Sequence, residues 1–472
     1  MVPAMPASAD AHLRALAEAE PRPFWLDGPA PPARPMLVGD EEADLLVVGA
    51  GLTGLWTALQ AVEEDPSRRV VLLESETVAF GASGRNGGFM ESSLTHGLAN
   101  GLARWPEEMA TIERMGHENY DGIVETVRRH GIDCGLEENG VLAVATEPHQ
   151  VPWLAEEVET HREHGFEATL LDRDAVRAEV ASPTYEAGLW LRGGNALVDP
   201  ARLARGLADA ATAQGVVLHE RTPVDDLRTA GAGLLATTPH GRVRARRAVL
   251  ATSAFPPLVR AIRRYVVPVY DYVLVTEPVD AARRAEIGWA NRQGLADSAN
   301  QFHYYRLTPD DRVLWGGYDA VYHFRNGLGT HHDQRPETFA MLARQLFKTL
   351  PQLEGLRFTH RWGGAIDTCS RFCATFGRVL DDRAAYAVGF TGLGVGASRF
   401  GARVALDLVD GRDTERTRLR MVRERPLPFP PEPLRYAGIQ LTRRALARAD
   451  RQQGRRGPWL RLLDRFGMGF DS

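Results

Sequence analysis

The sequence predicts an α/β fold: a discontinuous Rossmann-like dinucleotide-binding domain joined to a β-sheet-rich substrate domain (α+β). Three observations predict it. Residues 44–54 read Asp-Leu-Leu-Val-Val-Gly-Ala-Gly-Leu-Thr-Gly, a G-x-G-x-x-G run set directly behind an apolar strand. Two more glycine-rich segments, Gly81-Ala-Ser-Gly-Arg-Asn-Gly-Gly and Gly389-Phe-Thr-Gly-Leu-Gly-Val-Gly, stand far apart along the chain. Between them, from Val266, aromatic β-rich stretches separated by turns suggest antiparallel strands of a different layer.

Leu45 to Val48 is the short apolar run of a buried parallel strand. Gly49, Gly51 and Gly54 supply a tight turn, close backbone approach to a pyrophosphate, and close helix–sheet packing. Residues 55–64 follow as a helix whose N-terminus favours negative charge. A second apolar run, Val70 to Leu73, ends at Glu74, positioned to hold a ribose hydroxyl. Upstream, the proline-rich stretch Pro21 to Pro35 reads as an extended arm with Phe24 and Trp25 as docking anchors. Residues 103–130 and 151–165 read as helices flanking a strand at Gly140–Ala145. Val198-Asp-Pro opens a helix through Gln214. The runs Gly215–Glu220 and Arg247–Thr252 read as further strands of the nucleotide sheet.

Val267–Glu277, Phe302–Thr308 and Arg312–Tyr318 read as antiparallel strands, and residues 336–350 as a helix ended by Pro351. Ala385 to Phe390 then leads through glycines into a helix reaching Val409. Pro426 to Pro433 reads as a linker, and the arginine-rich tail beyond it as helical, with no chemistry assigned. The expected division is an N-terminal arm (1–43), nucleotide-binding parts (44–90, 196–256, 356–412), substrate-domain parts (91–195, 257–355) and a C-terminal tail (413–472).

A chain of 472 residues suggests two to three domains, and 44% hydrophobic with 25% charged residues suits a globular enzyme. The net charge of −5 gives no reason to expect nucleic acid, and the arginine-rich stretches Arg242–Arg247 and Arg443–Arg456 read as solvated faces. Three cysteines, Cys134, Cys369 and Cys373, form no disulfide framework, and Cys369-x-x-x-Cys373 lacks a second ligand pair, so no metal is expected. No signal peptide and no run of 18 apolar residues is visible, so a cytoplasmic protein without membrane association is expected.

The glycine segments also select the cofactor. In Gly81 to Gly88 small residues let backbone lie against a bulky ligand, Ser83 can donate to a phosphate, and Arg85 can reach a flavin ring. The helix N-terminus after Gly392 can stabilise negative charge at the flavin N1/O2 edge. A nicotinamide enzyme needs only the first fingerprint, whereas FAD, long and two-ended, accounts for three glycine loops.

These runs, with Trp362-Gly-Gly, resemble the D-amino-acid-oxidase-like flavoprotein family over about residues 22–412, and within it the γ-glutamylputrescine oxidase and aminophosphonate oxidoreductase-like members. The resemblance implies non-metal, FAD-dependent oxidation of a C–N bond. It implies that Gly49, Gly51, Thr53 and Gly54 meet the pyrophosphate and Glu74 the adenosine ribose. Ser83, Arg85, Asn86 and Gly87 would line pyrophosphate and flavin. Val224 would meet the adenine through its backbone, and Gly392, Leu393 and Gly394 the pyrimidine end. Leu52, Gly81, Ala82, Ala251 and Thr391 complete the expected cofactor contacts. Relatives with covalent flavin carry a Cys shortly before the position of Thr368; Gly363 to Asp367 contain none, so non-covalent FAD is expected. Where some oxidases place an oxygen-activating Lys, this chain has Trp315, leaving O2 and another electron acceptor both open.

Amine oxidation by flavin asks mainly for positioning and exclusion of solvent. If the amine is bound neutral, hydride passes from its α-carbon to flavin N5, and an aromatic pocket favours the neutral form. The expected catalytic set is Tyr270, His303, Tyr305, Trp362 and Arg85. Tyr272 shares a face with Tyr270, as Tyr305 does with His303. Ordinary sheet packing is the competing reading for these aromatics, and a structural role for His303. His96 ranks below them. Arg306 or Arg325 would clamp a substrate carboxylate or phosphonate, or form a surface salt bridge. Two other classes stand as alternatives: a flavin monooxygenase using NAD(P)H, disfavoured by the lack of an acid in Gly389-Phe-Thr-Gly, and a non-catalytic FAD-bearing RNA-associated protein, disfavoured by the acidic balance.

Overall fold

Two large sheets organise the computed structural model, which describes residues 7–29 and 31–465. The outer ends of the expected arm (1–6) and tail (466–472), with Ala30, lie outside the described residues. The first sheet runs Thr375–Val379, Ala384–Val388, Gly241–Leu250, Gly39–Val48, Val70–Leu73, Val217–His219. Four of its five successive pairings are parallel, and Thr375–Val379 turns back antiparallel at one edge. Strands from three distant stretches of chain therefore share one sheet.

Alternation sorts this sheet's side chains. Leu45, Val47, Val70 and Leu72 pack with the helices Leu52–Glu64, Pro200–Ala213 and Gly394–Val409. Leu46, Val48, Val71 and Leu73 pack on the other face with Leu227, Leu234, Ile262 and Tyr265. Burial on both faces explains the unbroken apolar runs. A hairpin, Asp226–Ala230 and Gly233–Thr237, pairs antiparallel with Gly241–Leu250. Its outer strand is exposed at Asp226 and Arg228, so it lacks the apolar run that signals a strand.

The second sheet runs Val321–Tyr322, Val267–Thr276, Val313–Gly317, His303–Leu307, Gly294–Asp297, Val141–Ala145, Ala187–Leu191, Ala168–Leu171, with Phe358–Thr368 on the free side of Val267–Thr276. Helix Pro336–Thr349 covers one face: Phe339, Leu342, Ala343 and Leu346 recur at helical spacing and are buried against the sheet. Pro351 ends it, as expected. The helical stretch at 103–130 is broken, because Pro106 separates Leu98–Arg104 from Met109–Arg129.

Trp25 of the arm is buried, and Phe24 meets it edge-on with ring centroids 5.1 Å apart. Arg242, Arg244 and Arg246 are exposed, alternating with buried Val243 and Ala245. Arg443, expected on a solvated face, instead pairs with the buried Asp319 at 2.9 Å, docking helix Leu434–Arg451 on the second sheet. Asp450 of that helix accepts from the Asn300 N–H at 2.9 Å.

Arg306 is not an exposed ion pair. It is fully buried, donates to the Val198 carbonyl at 2.7 Å, and lies over the Trp25 ring at 5.6 Å, tying the second sheet to the approach to helix Pro200–Ala213. Arg306→Met leaves that carbonyl unsatisfied and is expected to lower the unfolding free energy by about 3 kcal/mol, read from chemical denaturation.

Candidate active site

The fingerprint turn is built by contacts that only glycine allows. A Cβ on Gly54 would come 1.8 Å from the Gly49 carbonyl oxygen, and one on Gly49 (φ 103°) would come 2.6 Å from the Ala251 carbonyl oxygen. Gly51 caps helix Leu52–Glu64, and the N–H groups of Thr53 and Gly54 in its first turn have no intrahelical partner. Ser83 accepts from the Leu52 N–H at 2.9 Å, so its hydroxyl hydrogen stays free to donate. Glu74 accepts from the Ala50 N–H at 2.7 Å and the Glu76 N–H at 2.9 Å, and burial pushes its carboxyl up. The Thr222 N–H donates to the Glu74 carbonyl at 2.7 Å, setting the turn that carries Val224 beside this strand end.

The Gly81–Gly88 loop is held from several sides. Asn86 folds it on itself, donating to the Ala82 carbonyl at 2.9 Å and accepting from the Gly88 N–H at 2.8 Å. Two indoles grip consecutive carbonyls: Trp362 donates to Arg85 O at 2.9 Å and Trp25 to Asn86 O at 2.8 Å. The Arg85 guanidinium donates to the Phe80 carbonyl at 2.9 Å, to Asp333 at 2.5 Å and to the Gly363 carbonyl at 3.1 Å. A Cβ on Gly87 would come 2.7 Å from the Tyr304 ring, and one on Gly81 3.1 Å from Phe255.

The third loop turns through positive φ at Gly389, Thr391 and Gly392. Asp367 at the end of the Phe358–Thr368 strand accepts from the Gly389 N–H at 2.7 Å, and the Phe390 and Thr391 N–H groups also face it. Burial outweighs those donors and pushes its carboxyl up to about 6. A Cβ on Gly392 or Gly394 would meet nothing within 4 Å, so open space adjoins the N-terminus of helix Gly394–Val409 and the neighbouring Leu393. His96 lies beside the Thr391 backbone, and burial lowers its pKa. Glycines that tolerate no Cβ at one end and an open glycine cradle at the other fit a long, two-ended dinucleotide.

The second sheet buries Tyr270, His303, Tyr305 and Trp362 of the expected catalytic set. Tyr270, Tyr272, Tyr305 and Trp315 belong to the helix-packed face, clustered with Phe339, Leu342 and Leu346. The Tyr305 and Tyr185 hydroxyls share a hydrogen bond of 2.5 Å inside this core. His303 is buried with Nδ1 2.6 Å from Asp297 and its ring 4.6 Å from Trp315. Trp362 is fully buried and spends its N–H on Arg85. The face toward the Gly81–Gly88 loop carries the alternating neighbours instead: Asp271, and Tyr304, whose hydroxyl donates to Asp271. Burial pushes Asp271 up to about 6 despite that bond. Alternation was legible, but aromatic size pointed to the wrong parity, because the largest rings go to the dry helix-packed core. The missed signal was a lone acid between two tyrosines in an apolar strand.

Tyr270 and Tyr272 still bear on the site. Tyr270 donates to the Gly329 carbonyl at 3.2 Å and Tyr272 to the His332 carbonyl at 2.9 Å, fixing the loop that delivers Asp333 to Arg85. Arg325 is exposed on that loop. Cys369 is buried and donates to the Cys373 carbonyl at 2.9 Å. No helix among the described residues is long and apolar enough to cross a membrane.

Comparison with known proteins agrees with this geometry. A family profile described as FAD dependent oxidoreductase matches residues 44–408. The γ-glutamylputrescine oxidoreductase of Escherichia coli K12 is 32% identical over 382 residues, 79% of this chain and 84% of that protein. The sarcosine oxidase subunit beta of Rhodobacter capsulatus is 23% identical over 69% of this chain and 74% of its own. The crystal structure of glycine oxidase from Geobacillus kaustophilus superposes with a TM-score of 0.65 at 20% identity, covering 79% of this chain and 96% of that one.

Two outcomes follow from the loops. Gly54→Ala is expected to purify with less than about a tenth of the wild-type FAD, measured by absorbance after reconstitution. Asp367 holds its proton up to about pH 6 in the native protein, against roughly 4 when unfolded, so the native state binds more protons between these values. Its contribution to stability therefore falls as pH rises from 4 to 6, and Asp367→Asn is expected to flatten that part of the melting-temperature profile.

Proposed function

The chain belongs to the FAD-dependent oxidoreductase family, and from that membership we propose that it oxidises the C–N bond of a small amine or amino acid with non-covalently held FAD. The observation that carries the reading is the three-loop cradle ending beneath a sheet face that presents Tyr304 and Asp271. The relatives' names, γ-glutamylputrescine, sarcosine and glycine, support the substrate class.

On this reading Thr53 and Gly54 direct N–H groups at the pyrophosphate, and Glu74 holds the ribose beside Val224. Ser83 donates to a phosphate, while Arg85, Asn86 and Gly87 border the flavin. The N-terminus of helix Gly394–Val409 faces the pyrimidine end, where its dipole favours negative charge. FAD, when bound, supplies the acceptor for hydride from the substrate α-carbon, and the imine left behind hydrolyses in water. The protein's part is positioning. Asp333 orients Arg85, Asp271 orients the Tyr304 hydroxyl, and the packed sheet excludes solvent. Residues 44–90, 196–256 and 356–412 form the FAD-binding domain in this scheme, and 91–195 with 257–355 the substrate domain.

An anaerobic panel of amines, amino acids and aminophosphonates tests the reading. Bleaching of the yellow flavin band by at least one compound is expected, and admission of air then reveals by peroxide formation whether O2 is the acceptor. Colourless protein that takes up no FAD, or a flavin that no panel member reduces, would overturn it. Acid precipitation is expected to leave the flavin in the supernatant; colour retained in the pellet would mean a covalent link.

A further inference from the structure

Strand Phe89–Glu91 leaves the Gly81–Gly88 loop and pairs antiparallel with Asn195–Leu197. Met90 is fully buried in the core of the nucleotide sheet, so alternation sends Phe89 and Glu91 the other way. That way is the cleft, because the Phe89 ring meets Tyr304 edge-on at 5.8 Å. At its far end the strand lies against the first turn of helix Gly394–Val409, where a Cβ on Gly396 would come 2.1 Å from the Glu91 carbonyl oxygen. Glu91 thus stands where the flavin loop, the late helix and the sheet face converge.

Its carboxyl has no hydrogen bond or ion pair among the described residues, and burial alone pushes its pKa up. Asp271, on the facing sheet, accepts from Tyr304 and from the Tyr272 N–H. Of the guanidiniums, Arg85 holds Asp333, while Arg306 gives one nitrogen to Val198 O and keeps Nη2 without a partner. An unpaired, half-buried carboxylate facing the cleft asks for a cation.

Resting on the amine-oxidising reading above, we propose that Glu91 receives the substrate nitrogen: it binds the ammonium of the substrate amine and takes its proton. An N–H bond of the ammonium breaks, an O–H bond forms on Glu91, and the nitrogen keeps the electron pair. Ammonium with carboxylate becomes amine with carboxylic acid. Net charge is unchanged, and the desolvated cleft favours the uncharged pair. The neutral amine is the form from which hydride can leave.

The test compares anaerobic flavin reduction of wild-type holoenzyme with Glu91→Gln and Glu91→Asp across pH 6 to 10, using n-butylamine or whichever primary amine of the panel reacts faster. Glu91→Gln is expected to keep its flavin spectrum yet reduce about 100-fold more slowly at pH 7. Its second-order rate should rise about tenfold per pH unit toward the amine's own pKa near 10, closing the gap. Glu91→Asp should recover part of the rate at pH 7 with the wild-type pH profile. If Glu91→Gln loses its flavin, Glu91→Asp decides, and a profile that follows the free amine overturns the proposal. Equal rates at pH 7, or a deficit unchanged at pH 10, would also overturn it. Failure of every panel member to reduce the wild type sinks the amine-oxidising reading itself, a result distinct from a failure of Glu91.

Discussion

Two indole N–H groups on two consecutive carbonyls hold this site together. Trp25 reaches in from the N-terminal arm and Trp362 from the edge strand of the second sheet, and between them they fix the backbone of Arg85 and Asn86. Each buried bond contributes only about 1 kcal/mol net, but leaving either carbonyl unpaired costs about 1–3 kcal/mol. The loop is therefore held in one conformation by elements far apart in sequence. The course of Arg85 toward Asp333 and the seating of Gly87 under Tyr304 both follow from that grip.

The residues around Arg85 form a supporting chain. Tyr270 and Tyr272 use their hydroxyls on the backbone of the Gly329–Asp333 loop, and the loop places Asp333. His323 and His332 stack with centroids 3.6 Å apart beside Tyr270, an arrangement two cations would oppose. Burial and the neighbouring imidazole hold His323 down to about 4, so it is uncharged at neutral pH. Aromatic residues on the far side of the sheet thus shape the cleft through backbone they restrain.

Most of the fold was legible in the sequence, because a strand buried on both faces must be apolar throughout and a Pro must end a helix. The glycine fingerprint was legible for the same reason: Gly54 packs against Gly49 too closely for any Cβ. Strands whose burial is one-sided or whose outer residues are charged, such as Asp226–Ala230, carried too little contrast to be seen. The substrate face failed differently. Period-two reasoning grouped Tyr270 with Tyr272 and His303 with Tyr305, but periodicity fixes which residues share a face and not which layer covers it. That choice was made by helix Pro336–Thr349, whose apolar stripe claims the tyrosines and leaves Asp271 and Tyr304 for the cleft. Glu91 was passed over because a three-residue strand has no period to read.

The discontinuity of the first sheet also bears on how the chain is made. Gly241–Leu250 leaves the ribosome roughly 130 residues before its parallel neighbour Ala384–Val388, a wait on the order of ten seconds at typical synthesis rates. A strand edge left bare for that long invites pairing with other chains. The hairpin strand Gly233–Thr237, synthesised just before, already covers that edge from Arg242 to Ala245, so only Ala248–Leu250 must stay unpaired until its partner emerges. A feature that contributes nothing to the cleft thereby shields the nascent protein from aggregation.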